Sequence, residues 1–351
     1  MKKIFLILAV FSALTTSAFA AKAKKSEKIK VVTTIFPEYD WAREIIGENK
    51  KNVELTLLLA NGVDLHSYQP SIQDIAKLST ADIFVYVGGE SDEWVEDALK
   101  NARNKDMKVI NLMETLGDRV KAEEIKEGMQ AEDDDEHEHG HHDADHDDDD
   151  DDAHDHDHEA EGHHHHHHDD EEVENDEHVW LSLKNAKILS AEIASALCEK
   201  DAANAASYKA NLAAYTERLD ALDAKYAAAV KAGSKNTLLF GDRFPFRYLV
   251  DDYGLDYFAA FVGCSAETEA SFETVIFLSK KVDELDLNTV LKIESGDGKI
   301  ARTIVENTKK KNAKVLTLDS IQSTSLKQAQ KGTSYLSIME ENLKVLEEAL
   351  K

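Results

Sequence analysis

The sequence predicts an α/β protein of two lobes, each with a central, mostly parallel sheet flanked by helices, joined by one long backbone helix. The first observation is that β-branched runs, beginning with residues 29–35, alternate with stretches of helical periodicity at the spacing of parallel α/β units. The second is the stretch 203–232, which contains no Gly or Pro and predicts a helix about 45 Å long. The third is a new series of alternating strands and helices that begins at residue 237.

The pattern assigns each element in order. In the first lobe we expect strands at 29–35, 53–59, 81–87 and 108–112, and helices at 39–47, 71–78 and 93–102. Helices at 185–199 and 203–232 follow. In the second lobe we expect strands at 237–240, 257–261, 289–293 and 314–318, and helices at 246–253, 271–285, 298–311 and 334–350. The predicted boundaries are 27–200 for the first lobe, 201–232 for the linking helix and 233–351 for the second lobe.

Most of the acidity of the chain comes from one segment, residues 131–177. The formal net charge is -28, yet this segment holds 25 Asp or Glu and no Lys or Arg, so the remaining residues carry only -3. Nothing in the sequence resembles a basic nucleic-acid footprint. Because the segment is poor in apolar residues and dense in like charge, we expect it to be disordered.

The same segment contains 14 of the 16 histidines of the chain. A flexible tether with many imidazoles predicts a metal-collecting loop, since imidazole is a common metal ligand. The auxiliary metal-collecting residues are His137, His139, His141, His142, His146, His154, His156, His158, His163, His164, His165, His166, His167 and His168. A solvated acidic linker without a specific role would need only Asp and Glu.

Only two histidines lie outside the segment, and each stands in a distinctive motif. His66 follows the predicted strand 53–59, at the edge of the sheet where parallel α/β proteins bind ligands. His178 begins the sequence HVWL, where ordinary globular sequence resumes. We interpret both as metal ligands.

The amino terminus predicts export from the cytoplasm. Lys2 and Lys3 precede an apolar run and a small-residue site that ends at Ala20, which is typical of a signal peptide over residues 1–20. Without a cysteine near the cleavage point we expect a periplasmic protein with no lipid anchor. Cys198 and Cys264 could form a disulfide in that compartment, but their spacing does not decide it.

Three motifs resemble those of the metal-specific solute-binding proteins of ABC importers, the zinc/manganese type. They are residues 62–70 (GVDLHSYQP), residues 176–181 (DEHVWL) and the carboxyl-terminal pair 318–321 and 334–343. Leu65 and Glu177 stand where the family usually has proline. The resemblance covers residues 30–351 apart from the acidic segment, and it implies two lobes tied by a single helix.

The resemblance also implies a ligand set. By position, His66 and His178 would bind the metal from the first lobe and Asp319 from the second. The fourth position falls on Arg243, which has no lone pair to offer. Asp242 could supply an oxygen instead, or the site could have three protein ligands completed by water or by a residue of the acidic segment. Arg243 could equally form a salt bridge with Asp242 or Asp252.

We therefore expect a monomeric periplasmic protein that captures Zn(II) between its lobes and delivers it to the membrane permease of an ABC importer. Imidazole and carboxylate ligands favour zinc, and Mn(II) is the alternative. Other interpretations are a metal buffer that works through the histidine-rich loop, or a metal-dependent adhesin. A zinc hydrolase with Asp242 or Glu294 as base is disfavoured, because no HExxH-type motif is present, so we expect no enzyme activity.

Overall fold

Two four-stranded sheets with the same strand order form the two lobes. The computed structural model describes residues 28–130, 174–265 and 269–351. The predicted signal peptide and the fourteen histidines of the loop lie outside these ranges. In each sheet, the first strand of the lobe lies between the second and the third strands, and the fourth strand pairs with the third. Every pairing of neighbouring strands is parallel. The predicted fold class is confirmed.

The bounds of the elements are as follows. The strands are β1 (Ile29–Thr33), β2 (Val53–Leu57), β3 (Ile83–Tyr86) and β4 (Lys108–Asn111) in the first lobe, and β5 (Thr237–Phe244), β6 (Asp256–Val262), β7 (Thr289–Lys292) and β8 (Lys314–Thr317) in the second. The helices up to the long one are α1 (Phe36–Ile46), α2 (Ile72–Ser79), α3 (Trp94–Lys100), α4 (Leu112–Leu116), α5 (Leu183–Lys200) and α6 (Ala205–Ala232). Those of the second lobe are α7 (Arg247–Tyr253), α8 (Phe272–Glu284), α9 (Lys299–Asn307), α10 (Leu326–Gln330) and α11 (Tyr335–Ala349).

The long helix α6 connects the two sheets. Its 28 residues bury one face, formed by Tyr208, Tyr215, Leu219, Leu222 and Tyr226. That face packs against α1, α5 and the terminal helix α11. Tyr226 donates a hydrogen bond from its hydroxyl to the Met339 carbonyl of α11 at 2.7 Å, so α11 is fixed to the linking helix.

Hydrogen bonds between buried groups join the lobes beside the His178 loop. The Trp180 indole donates to the Ser320 carbonyl at 2.9 Å, and the Tyr335 hydroxyl donates to the Trp180 carbonyl at 2.7 Å. Trp180 and Tyr335 are fully buried, in one hydrophobic core that includes residues of both lobes. A second, smaller core lies within the second lobe. None of the helices in the described ranges is long and apolar enough to cross a membrane.

The two chain segments that flank residues 131–173 lie side by side. Ala122 and Asn175 form an antiparallel bridge. The amide of Gln130 donates to the Ala260 carbonyl of β6 at 2.9 Å. Both points at which the histidine-rich segment leaves and rejoins the described structure are therefore anchored to the folded protein.

Candidate metal centre

His66 lies in a short 3₁₀ helix, Leu65–Ser67, in the loop after β2. The Asp64 carboxylate caps this helix by accepting from the His66 amide at 3.1 Å. The His66 Nδ1 lies 2.8 Å from the Ser91 hydroxyl and 3.6 Å from a carboxylate oxygen of Glu177. A proton on Nδ1 can be donated to the Ser91 hydroxyl, which leaves the lone pair of Nε2 available for a metal.

His178 lies at the start of the 3₁₀ turn Val179–Leu181 and is fully buried. One oxygen of Asp176 accepts from the His178 amide at 2.8 Å and lies 3.0 Å from its Nδ1. Since a carboxylate accepts but does not donate, it favours the tautomer with the proton on Nδ1. With Nδ1 held by Asp176, Nε2 is the ring atom of His178 that can offer a lone pair to a metal ion.

The structure brings the two predicted histidines together. Their Nε2 atoms are 3.2 Å apart, and two imidazole nitrogens bound to one tetrahedral zinc ion stand about 3.3 Å apart. Burial, followed by the facing His178, lowers the pKa of His66 to about 3. His66 is thus a neutral imidazole at physiological pH, which is the form that binds metals.

A third ligand atom, the sulfur of Cys264, joins this pair. The sulfur and the ligand nitrogens of His66 and His178 all lie within 4.8 Å of one another, and no other such group occurs in the described ranges. Cys198 and Cys264 are both free thiols. The disulfide between them that the sequence left open is therefore not formed. Burial, reinforced by neighbouring carboxylates, raises the pKa of Cys264 well above its usual range. A metal ion would have to displace the thiol proton to bind there.

Gly263 allows Cys264 to reach the histidines. A Cβ at position 263 would lie 3.0 Å from the Phe244 carbonyl oxygen and 3.1 Å from the Cε1 of His178. A side chain at this position would therefore press against the imidazole and the Phe244 carbonyl, and its absence lets the end of β6 lie close to His178. The position of Cys264 just past the carboxyl end of a parallel strand is the sequence signal that could have indicated a ligand.

Gln322 reaches the same point from the loop after β8, and it is almost fully buried. With its amide nitrogen donating to Asp64, at 2.7 and 2.9 Å, its oxygen accepts a hydrogen bond from the Nε2 of His178 at 2.5 Å. Because the amide group donates to Asp64, its oxygen presents lone pairs to His178. Gln322 of the second lobe therefore contacts His178 of the first, and a metal ion bound to His178 Nε2 would replace the proton of this hydrogen bond. Sequence reasoning missed Gln322.

The carboxylate of Asp319 does not belong to the group of ligand atoms within 4.8 Å of one another that His66, His178 and Cys264 form. Its carboxylate accepts from the Ile321 amide at 2.8 Å, and its own amide donates to Asn342 at 2.8 Å. Burial, followed by repulsion from Glu294, raises the pKa of Asp319 to about 7. The carboxylate closes a turn three residues before Gln322.

Arg243 forms a salt bridge across the lobe interface. Its Nη2 lies 2.6 Å from Asp64, and its Nη1 donates to the Ser265 carbonyl at 3.3 Å. The predicted salt bridge of Arg243 with Asp242 or Asp252 is wrong, because its partner is Asp64. Asp242 accepts from the amides of Arg243 and Ile293, and this geometry turns its carboxylate toward its own lobe.

Asp252, the other partner predicted for Arg243, contacts the first lobe instead. It accepts from the Ser182 hydroxyl at 2.6 Å and forms an ion pair with Lys184 at 3.2 Å. Glu294 accepts from the hydroxyls of Ser320 and Ser323. Asp252 thus holds the first lobe rather than Arg243, and the Glu294 carboxylate holds the loop after β8.

A cavity of about 530 Å³ adjoins the centre on the side of the second lobe. Asp64 and Arg243 contribute to its wall, together with the end of β5 and the loops that follow β6 and β7, whereas His66, His178 and Cys264 do not line it. The Asp64–Arg243 ion pair therefore faces both the cavity and the ligand cluster.

Comparison with known proteins shows similarity along nearly the whole chain. Residues 31–349 match the family described as zinc-uptake complex component A, periplasmic. The chain is 31% identical over 348 residues to the zinc-binding lipoprotein AdcA of Streptococcus pneumoniae serotype 4, covering 99% of this chain and 61% of that protein. It is 27% identical over 326 residues to the high-affinity zinc uptake system protein ZnuA of Bacillus subtilis, covering 93% of this chain and 89% of that protein.

Solved structures share the fold. The crystal structure of Zn(II)-bound AdcA from Streptococcus pneumoniae matches with a TM-score of 0.65 and 24% identity, over 92% of this chain and 58% of that one. The chain thus spans about three fifths of the length of the AdcA proteins that it matches.

Proposed function

Since the chain belongs to the family of periplasmic zinc-uptake component A proteins, we propose that it captures Zn(II) at the interface of its two lobes. It then delivers the ion to the membrane permease of an ABC importer. The observation that supports this most strongly is the pair of Nε2 atoms, 3.2 Å apart, with the Nδ1 of each ring held by an oxygen acceptor. This arrangement turns the Nε2 atoms of both rings toward one position that a single ion could occupy.

The donor set favours zinc over manganese. Imidazole nitrogens suit Zn(II), whereas Mn(II) prefers sites composed of oxygen ligands. The protein binds without a reaction, as a periplasmic carrier, and the predicted signal peptide and the names of its relatives support an exported location. Delivery requires the ion to leave, which a docked permease could cause by separating Gln322 and Cys264 from the two histidines of the first lobe.

A zinc titration by calorimetry tests this function. It would compare the full chain with a chain in which a short Gly-Ser linker replaces residues 131–173, each with and without His66→Ala. The deletion should spare residues 174–177, because Asp176 holds His178. We expect one tight site per chain that survives the deletion and disappears in His66→Ala, while the weaker sites vanish with the loop.

The same titration can refute the proposal. If no tight zinc site remains after the deletion, the histidine-rich loop is the working part and the protein is a metal buffer. Manganese competition in the deleted chain provides the second readout: manganese should not displace zinc at equal concentration.

A further inference from the structure

We propose that Cys264 binds the same metal ion as His66 and His178, as a thiolate, so that the centre has two imidazole ligands and one sulfur ligand. The inference rests on the proposed function for the identity of the cargo. It extends that function by assigning a ligand type that the sequence motifs did not indicate, and with it the class of cations that the site accepts.

The positions of the three ligand atoms carry the proposal. All three lie within 4.8 Å of one another, and a thiolate sulfur and an imidazole nitrogen on one tetrahedral zinc ion stand about 3.6 Å apart. The sulfur and each nitrogen would therefore need to approach by at most about 1.2 Å. The histidines come from the first lobe and the cysteine from the second, so the ion would join the two.

The surroundings of Cys264 are those of a ligand and not of a hydrophobic core residue. Its amide donates to a Glu123 oxygen at 3.1 Å, and its thiol also hydrogen bonds to that carboxylate. Asp176 and Glu177 add further negative charge nearby. These anions would favour a divalent cation next to the sulfur.

The exchange of the thiol proton for the metal ion needs no further reactant. As the metal–sulfur bond forms, the S–H bond breaks, and the Glu123 carboxylate is placed to receive the proton and pass it to solvent. No electron is transferred. One proton leaves the thiol for each ion that binds.

A thiolate ligand changes the metal preference of the site. Sulfur ligands favour zinc and softer cations such as Cd(II), and they disfavour Mn(II), which prefers oxygen. The centre should therefore discriminate against manganese more strongly than a site built from imidazoles and carboxylates.

Cobalt substitution in the full-length chain tests the proposal. Co(II) bound to a thiolate gives a charge-transfer band in the near ultraviolet that imidazole ligands do not give, so the fourteen histidines of the loop do not interfere. Cys264→Ser removes the candidate ligand. Cys198→Ser is the matched control, because Cys198 lies in α5 and its thiol contacts the Ala205 carbonyl.

We expect the wild type and Cys198→Ser to show the band, saturating at one cobalt ion per chain. Cys264→Ser should lose the band and bind zinc about 100-fold more weakly, at the upper end of losses caused by residues around metal ligands. In a second measurement on the unaltered chain, one equivalent of zinc should protect Cys264, but not Cys198, from alkylation as read by peptide mass spectrometry.

The outcomes separate the two proposals. If wild-type protein binds zinc tightly in a His66-dependent way, but shows no charge-transfer band and no protection of Cys264, the thiolate assignment is overturned and the proposed function stands. If tight zinc binding does not depend on His66, the proposed function itself fails.

Discussion

At the scale of single residues, the centre depends on groups that orient the imidazoles. Asp176 holds the backbone and the Nδ1 of His178 with one oxygen, and Ser91 contacts the Nδ1 of His66. Residues in this position fix the tautomer of a ligand histidine and raise its basicity. The affinity for metal should therefore depend on side chains that never touch the ion.

Replacing Asp176 tests this dependence. Asp176→Ala removes the acceptor of His178 Nδ1, and we expect zinc affinity to fall by roughly 10- to 100-fold, because the ring loses its orientation. Asp176→Asn keeps an oxygen at the same place and should retain most of the affinity. The measurement is zinc competition against a chelator of known affinity. Equal affinities of Asp176→Ala and the wild type would contradict the role assigned to this carboxylate.

The sequence predicted some of these residues and missed others for physical reasons. His66 and His178 stood out because they are the only histidines outside the acidic segment. Cys264 and Gln322 each lie many residues from both histidines, and only the packing of the two lobes brings them close. No spacing rule in the chain connects residues that meet across such an interface.

At the scale of elements, the strands and long helices were predictable and the shortest helices were not. β-branched runs mark the strands, and α6 has a long stretch without a helix breaker. By contrast, α4 and α10 have five residues each, too few to show a periodic pattern. β5 continues to Phe244, past the predicted end, through an irregularity between Phe240 and Arg243.

The junction of α1 and α11 contains a buried carboxylate with a shifted pKa. Asp40 of α1 accepts from the Tyr335 amide at the start of α11 at 2.7 Å and forms an ion pair with Arg43. Burial outweighs these contacts and raises the pKa of Asp40 from 3.8 to about 6. A carboxyl group whose pKa is higher in the folded state destabilises the protein as it ionises.

Asp40 should therefore make the folded protein less stable as the pH rises from about 4 to about 6. In Asp40→Asn this dependence is absent. Relative to the wild type, the free energy of unfolding of the variant should rise by about 2.4 kcal/mol between pH 4 and pH 7. Urea unfolding of chelator-treated protein at several pH values measures the difference, and a constant offset between the two proteins would contradict the assignment.

At the scale of the whole molecule, the lobes form one connected body around the centre. Trp180 is hydrogen bonded to residues of the second lobe on both sides, and Arg243 pairs with Asp64 across the interface. The predicted architecture explains why candidate ligands from both lobes meet there, since the loops at the carboxyl ends of both sheets face the same interface. The extensive contacts indicate that release of the ion would involve local movement of these loops.

The most direct test of a single zinc site between the lobes is a crystal structure of the zinc-loaded protein, with anomalous diffraction data recorded on both sides of the zinc absorption edge. We predict one strong anomalous peak about 2.1 Å from the Nε2 atoms of both His66 and His178. Zinc peaks found only elsewhere, for example in the cavity beside Asp242 or along residues 131–173, would contradict the proposal that the lobe interface is the site of capture.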